Sequence, residues 1–305
     1  MLTLSITDQR TWFRASASLM GTNAELLVDG NAVDIAIGFR RLRALERTWS
    51  RFDPTSELNR MHERPGQWVA VSDDLRRAMV WAQRMHIETN GLFDPTVRGA
   101  LELMGYDRTF RSILDADALA DAAPAPGLDT VEIDSTRSRV RLAAGVRVDL
   151  GGIGKGLAAD IVARELVAGG ARSVCVSLGG DIHACGQPPD PEGWPVPLLH
   201  PVTGAPLGIH PLAGGGLAMS TVALRRWRRG AQELHHIVDP RTGTSCRTDL
   251  VAVAVAAQST ARAEALAKAT VILGADAGVA LLRRCAVRGW LMTGDDTIIA
   301  VDGDQ

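Results

Sequence analysis

The residues with the most chemistry within reach of one another lie between Val146 and Gly186. Gly151, Gly152, Gly154 and Gly156 surround Lys155, and a second glycine turn, Gly179-Gly180-Asp181, follows. A glycine turn that opens a helix can receive a phosphate, because unpaired N–H groups and the positive end of the helix dipole point at it. Lys155 adds charge there. The common phosphate motifs nevertheless fail. A Walker A loop ending at Gly154-Lys155 needs glycine where Asp149 stands and Ser or Thr where Gly156 stands, and a dinucleotide fingerprint started at Gly152 needs glycine at Leu157. Taken alone, the cluster is more economically a tight strand-to-helix connection. His235, His236 and Asp239 form another group that could hold a metal or carry a proton. In a strand the two histidines point to opposite faces, so one inward histidine is expected, and His236 stands open between a satisfied polar residue and a catalytic one. Glu264 and Lys268, four apart on a predicted helix, read first as a surface ion pair worth about 0.3–0.5 kcal/mol. Ala263, Ala265, Leu266, Ala267, Ala269 and Val271 leave that helix little polar face, however, and a helix of small residues can lie close against a ligand.

These residues need elements to hold them. Val146, Val148 and Leu150 alternate as a half-buried strand does, and a helix then carries Leu157, Ile161 and Leu166 on one face until Gly169-Gly170 stops it. A strand over 173–178 leads to the second glycine turn. Upstream, 12–28 is extended with a strand over 24–28, and Asn31 caps a helix to about Trp49 with Val33, Ile37, Leu42 and Leu45 as its apolar positions. The polar loop 49–59 breaks at Pro54 and restarts as a short helix. Ser72 caps a further helix with Asp73 and Asp74 in its first turn and Gly91 at its end. Asp94-Pro95-Thr96 by itself is a turn. Segment 115–130, rich in Ala, Asp and Pro, is a surface loop or linker, and 131–134 and 139–142 bracket a hairpin. After Gly186 come turns joining edge strands, a strand to Ser220, another reaching 235–243, and a buried strand over 250–256. Thr260 caps a helix over 261–273 that Gly274 stops, and a last helix and two strands follow.

At 305 residues and 46% hydrophobic content the chain can bury a large core. A net charge of −2 without a long basic run argues against nucleic-acid partners. The patch Arg225 to Arg229 is broken by Trp227 and reads as a solvated face. No apolar run reaches membrane-spanning length, the N-terminus lacks a secretory pattern, and a cytoplasmic location is expected without membrane insertion. Cys175, Cys185, Cys246 and Cys285 are scattered and read as reduced thiols.

In this order the motifs Met20-Gly21-Thr22, Ser50 to Leu58, Phe93 to Val97, VDLGGIGKGLAAD with SLGGDI, HHIVDPRTG and AEALAKATVILG resemble the ApbE family of FAD:protein FMN transferases. The resemblance implies an α+β fold over 12–305, a single two-lobed domain of mixed and antiparallel sheets with flanking helices and an FAD cleft between the lobes. It implies transfer of FMN from FAD to a Thr or Ser hydroxyl of an acceptor protein, releasing AMP, with Mg²⁺ beside the pyrophosphate. By motif position, Met20 and Phe52 would flank the flavin nucleotide and Asp94, Pro95 and Thr96 would bind its polar groups. Gly151, Lys155, Leu157 and Gly180 would line its pyrophosphate or ring, Val238 would touch it, and His236 or Asp239 would stand near the reacting phosphate. Gly154 would offer a carbonyl to the metal. Where the family has aspartate and threonine as metal ligands with a carbonyl between them, this chain has Glu264, Lys268 and Ala267. A charged ammonium cannot ligate magnesium. The resemblance therefore leads to Lys268 as a fixed charge replacing the ion, with an FAD-binding protein that has lost transfer as the alternative. Leu157 stands where the family commonly has an aromatic, and Ser220-Thr221 where it has Ser-Gly.

Overall fold

The computed structural model describes residues 3–7, 10–113 and 122–303. The chain divides into two compact units, one made of Met1–Glu46, Gly154–Met219 and Ala254–Glu264, the other of Arg47–Ile153, Ser220–Val253 and Ala265–Gln305.

The first unit is built on an antiparallel sheet in which Thr3–Thr7, Arg10–Leu19, Thr22–Asp29, Ser173–Leu178, Asp181–Gly186 and Gly215–Thr221 follow one another. Strands with alternating apolar residues bury one face, and here Ala24, Leu26, Val28, Val174, Val176 and Leu178 are all fully enclosed. The helix Gly154–Ala168 packs on the central strands Ser173–Leu178 and Asp181–Gly186. Helix Ala32–Trp49 lies beside it, approaching so closely at Gly38 that a Cβ there would stand 2.2 Å from Leu26 Cδ2. Asn31 does cap this helix, its Oδ1 accepting the N–H groups of Val33 and Asp34. The inward face differs from the expected one. Leu42 and Leu45 are buried as expected, together with Ile35 and Phe39, but Val33 is 63% and Ile37 39% exposed, because at about 100° per residue these two project from the opposite side of the helix.

In the second unit, helix Asp73–Glu88 takes its N-terminal bond from Ser72, as its sequence foretells, and Val69–Ala70, Arg139–Leu142 and Val131–Asp134 form a three-stranded sheet. Helix Arg98–Leu103 supplies Leu101 to an aromatic cluster with Tyr106 and Trp227, whose indole N–H donates to Met104 O at 2.8 Å. Residues 115–121 of the expected 115–130 loop lie outside the described residues; 122–127 has no regular structure and Leu128–Thr130 is a single 3₁₀ turn.

The expected strand over 146–150 is absent. Val146, Val148 and Leu150 do alternate inward, but the backbone finds its partners in loops: Val148 N–H donates to His62 Nε2 at 2.9 Å and Asp149 N–H to Pro95 O at 2.8 Å. Alternation reports burial, and no neighbouring strand is there to complete a ladder. His62 must be neutral to accept this bond. Burial, with Arg98 and Arg147 nearby, lowers its pKa from the usual 6.5 to about 4. The unfolded chain therefore takes up a proton at higher pH than the native one, and this stability, complete above pH 6.5, is lost as pH falls toward about 4. His62→Gln, whose amide oxygen can accept the same N–H, should flatten the decline in melting temperature over that window; an unchanged pH profile would assign the decline to other groups.

Candidate functional site

Three sequence motifs meet in the first unit. Leu19 pairs with Thr22, so Met20 and Gly21 form a two-residue hairpin loop, with φ of 53° and 69°. Leu178 pairs with Asp181, and Gly179 and Gly180 turn that hairpin with φ of 64° and 96°. Positive φ at both central residues is what such turns require, and glycine supplies it without strain. The two loops touch. Gly179 N–H donates to Asn23 O at 2.9 Å, and a Cβ on Gly179 would stand 2.3 Å from Thr22 Oγ1.

Asp181, the residue after this turn, gathers the rest. Its Oδ1 accepts Met219 N–H at 3.2 Å and its Oδ2 pairs with Lys155 Nζ. The same ammonium reaches Glu264 Oε1 at 2.9 Å, and Glu264 Oε2 accepts Gly156 N–H at 2.9 Å. Glu264 is 0% and Asp181 2% exposed, so the surface-pair reading of Glu264 does not hold. Burial alone would depress the Lys155 ammonium, but the two carboxylates raise its pKa above the ordinary lysine value. One cation thus faces two carboxylates, and the helix end that the sequence offered to a phosphate is already capped by Glu264. An incoming anion would meet net negative charge here. Leu157, at 1% exposure, and Gly154 belong to the core of this unit, and Gly180 is exposed. Behind the trio, Asp160 accepts the N–H groups of Thr260 and Ala261 and pairs with His183 Nδ1 at 2.6 Å, all of them buried. Ser259 Oγ, not Thr260, accepts Arg262 N–H at the start of helix Thr260–Leu273. Thr260 donates its hydroxyl to Ile182 O instead.

The second unit holds the other motifs. Asp149 accepts Gly151 N–H at 2.7 Å and pairs with Arg51 Nε at 3.2 Å. Arg51 is stacked between aromatic rings, its guanidinium carbon 4.3 Å from the centroid of Phe52 and 4.4 Å from that of Tyr106. Phe52 remains 40% exposed. Gly151 is exposed, and at Gly152 a Cβ would stand 3.0 Å from the Phe93 ring and 3.5 Å from Lys268 Cδ and Cε. The exposed Gly151 thus precedes a half-buried Gly152 beside a lysine stem, and Ala267 next to that lysine is buried. Asp94 Oδ1 accepts both the N–H and the hydroxyl of Thr96, whose Oγ1 in turn accepts Gly127 N–H at 3.0 Å. Asp94, Pro95 and Thr96 are buried, and these bonds shape the loop. A cavity of about 560 Å³ is lined by Arg51, Phe52, Asn59, His62, Arg98 and Arg147 among others; of the expected cofactor-binding residues it includes Phe52.

The strand Gln232–His235 ends before His236, so the opposite-face argument gives way to a loop. His235 is the fixed histidine: its Nδ1 accepts Ile237 N–H and its Nε2 donates to Cys246 O at 3.1 Å, while burial lowers its pKa. His236 is half-buried. Asp239 is held at both oxygens by Arg241, at 2.9 and 2.7 Å; burial would raise its pKa, but these bonds bring it below the usual carboxylate value. Val238 is buried in the aromatic cluster. The sequence reading gave no site role to Asp181 or Arg241, although both lie inside motifs it quoted, SLGGDI and HHIVDPRTG.

Magnesium does not fit the predicted donors. Glu264 is engaged by Lys155 and Gly156, and the Lys268 side chain offers no oxygen. No helix of the described residues is long and apolar enough to cross a membrane. No disulfide joins the four cysteines, and burial pushes the Cys175 thiol up to about 12.

The fold is the α+β arrangement of helices with antiparallel sheets seen in the ApbE protein of Thermotoga maritima, with a TM-score of 0.85 at 22% identity over 95% of this chain and 97% of that one. The ApbE family model matches residues 20–289, and the chain belongs to that family. A FAD:protein FMN transferase of Rhodobacter capsulatus is 27% identical over 97% of this chain and 57% of its own length. One from Treponema pallidum is 32% identical over 68% of this chain and 61% of its own. The chain thus spans about three-fifths of the length of these curated relatives.

Proposed function

We propose that this chain transfers FMN from FAD to a Thr or Ser hydroxyl of an acceptor protein. The hydroxyl oxygen bonds to the FMN phosphorus, the pyrophosphate P–O bond to the AMP side breaks, and AMP leaves. The observation that carries the reading is the union of Met20-Gly21-Thr22 with Gly179-Gly180-Asp181 in a chain of this family. The hydroxyl proton goes to His236, because Asp239 is already held by Arg241 and its lowered pKa makes it a poor acceptor. Lys268, beside the pair Gly151-Gly152, supplies the positive charge for the pyrophosphate in place of a divalent cation. Four cysteines scattered without a C-x-x-C pair suit a reducing, cytoplasmic setting.

One assay tests this reading. Flavin-stripped protein is titrated with FAD by calorimetry in excess chelator and in millimolar-range magnesium, then mixed with candidate acceptor domains whose mass reports covalent FMN. Binding and transfer in chelator are expected. His236→Ala, compared at matched FAD occupancy, should slow transfer by about 10²–10⁴. FAD binding that appears only with magnesium would remove the role given to Lys268, and binding without transfer to any acceptor would favour the alternative of a flavin-holding protein.

A further inference from the structure

We infer that Glu46 is a positioning residue for the flavin nucleotide, holding Met20 in a backbone conformation that this side chain does not favour. The inference rests on the transferase reading above, in which Met20 flanks the nucleotide. A two-residue hairpin loop with positive φ at both positions selects Asn-Gly or Gly-Gly. Gly21 obeys this rule at φ 69°, but Met20 adopts φ 53°, where the Cβ of an ordinary L residue is crowded. Met20 is unbranched and apolar, and it has no side-chain carbonyl with which to offset the strain locally, as Asn would.

The compensation comes from elsewhere in the same unit. Glu46 Oε1, in the last turns of helix Ala32–Trp49, accepts the Met20 N–H at 2.6 Å. This is a short bond to an ionised acceptor, of the stronger kind. It fixes the loop from one side while the Gly179-Gly180 turn fixes it from the other, through Thr22 and Asn23. Met20 is left half-buried on an anchored backbone, in the loop whose Thr22 and Asn23 meet the turn that precedes Asp181. A residue that breaks a local rule and is braced by a distant charged group marks a place where the side chain serves something other than folding. A thioether at the edge of such a site offers a polarizable surface to a flat aromatic ligand.

The test compares the melting temperature and calorimetric FAD affinity of the full chain with those of Glu46→Ala, Glu46→Gln, Met20→Asn and Met20→Gly. Glu46→Ala should weaken FAD binding by about tenfold or more. Glu46→Gln, which keeps an oxygen for the N–H, should recover most of that loss. Met20→Asn and Met20→Gly should raise the melting temperature and still weaken FAD binding, a combination that a merely structural role would not give. The inference is overturned if Glu46→Ala binds FAD as the parent does, or if neither Met20 variant is more stable than the parent. Failure of the parent itself to bind FAD would instead remove the transferase reading and take this inference with it.

Discussion

Lys155→Met should lower the stability of the chain by about 3–5 kcal/mol at neutral pH, a fall of about 10 °C in melting temperature. The lysine stands between Asp181 and Glu264, both essentially excluded from solvent, and it is the cation that both of them reach. Removing it takes this cation away from two buried carboxylates. The cost follows from their burial more than from loss of the pair's own attraction, so Lys155→Met/Asp181→Asn/Glu264→Gln should be more stable than the single variant. The pH dependence carries a sign. Uncompensated buried carboxyls protonate more readily in the native state than in the unfolded chain, so the deficit of Lys155→Met should shrink as pH falls toward about 4. A deficit that stays constant with pH, or a triple variant no better than the single one, would mean that the lysine stem contributes by packing alone.

The same trio shows how far sequence goes. Gly151 to Gly156 with Lys155 suggested a phosphate cradle, because residue types and spacing are all that a motif contains. What the sequence could not show is that Glu264, more than a hundred residues downstream, folds back to cap the helix and that Asp181 shares the lysine. Helices and turns were legible where the signal is local: Asn31 and Ser72 cap as their types predict, and the strand Ser173–Leu178 falls where its alternation places it. The signal failed where burial and pairing part company. Segment 146–150 alternates like a strand yet bonds to His62 and Pro95, and Glu264 looks like a surface residue by spacing while its neighbours bury it completely. The ligand expectation rests on family order, since no single one of Met20, Asp94 or Gly180 has a type that demands a flavin.

Gly156→Ala should be among the most damaging single-methyl changes in the chain. Gly156 is helical, so its conformation does not call for glycine; the reason for glycine is proximity. A Cβ there would stand 2.6 Å from Thr260 O, 2.7 Å from Thr260 C and 2.8 Å from Ala261 N, all backbone atoms at the start of helix Thr260–Leu273. Backbone cannot rotate aside as a side chain does, so the two helices must separate. Overpacking of this kind costs about 1–3 kcal/mol. Separation also stretches the Gly156 N–H bond to Glu264, a charge-assisted bond worth a further ~1.5–3 kcal/mol, and draws Glu264 away from Lys155. Gly152→Ala is the matched control. Its Cβ would meet the Phe93 ring at 3.0 Å and the Lys268 stem at 3.5 Å, side chains that can yield. Thermal unfolding should therefore show Gly156→Ala lower by about 10 °C and Gly152→Ala by only a few degrees at most. If the two fell equally, the close approach of helix Gly154–Ala168 to helix Thr260–Leu273 would not be what holds Glu264 on Gly156. If Gly152→Ala alone impaired FAD binding, the glycine pair beside Lys268 would gain the role assigned to it, because the methyl group would sit where the pyrophosphate is placed.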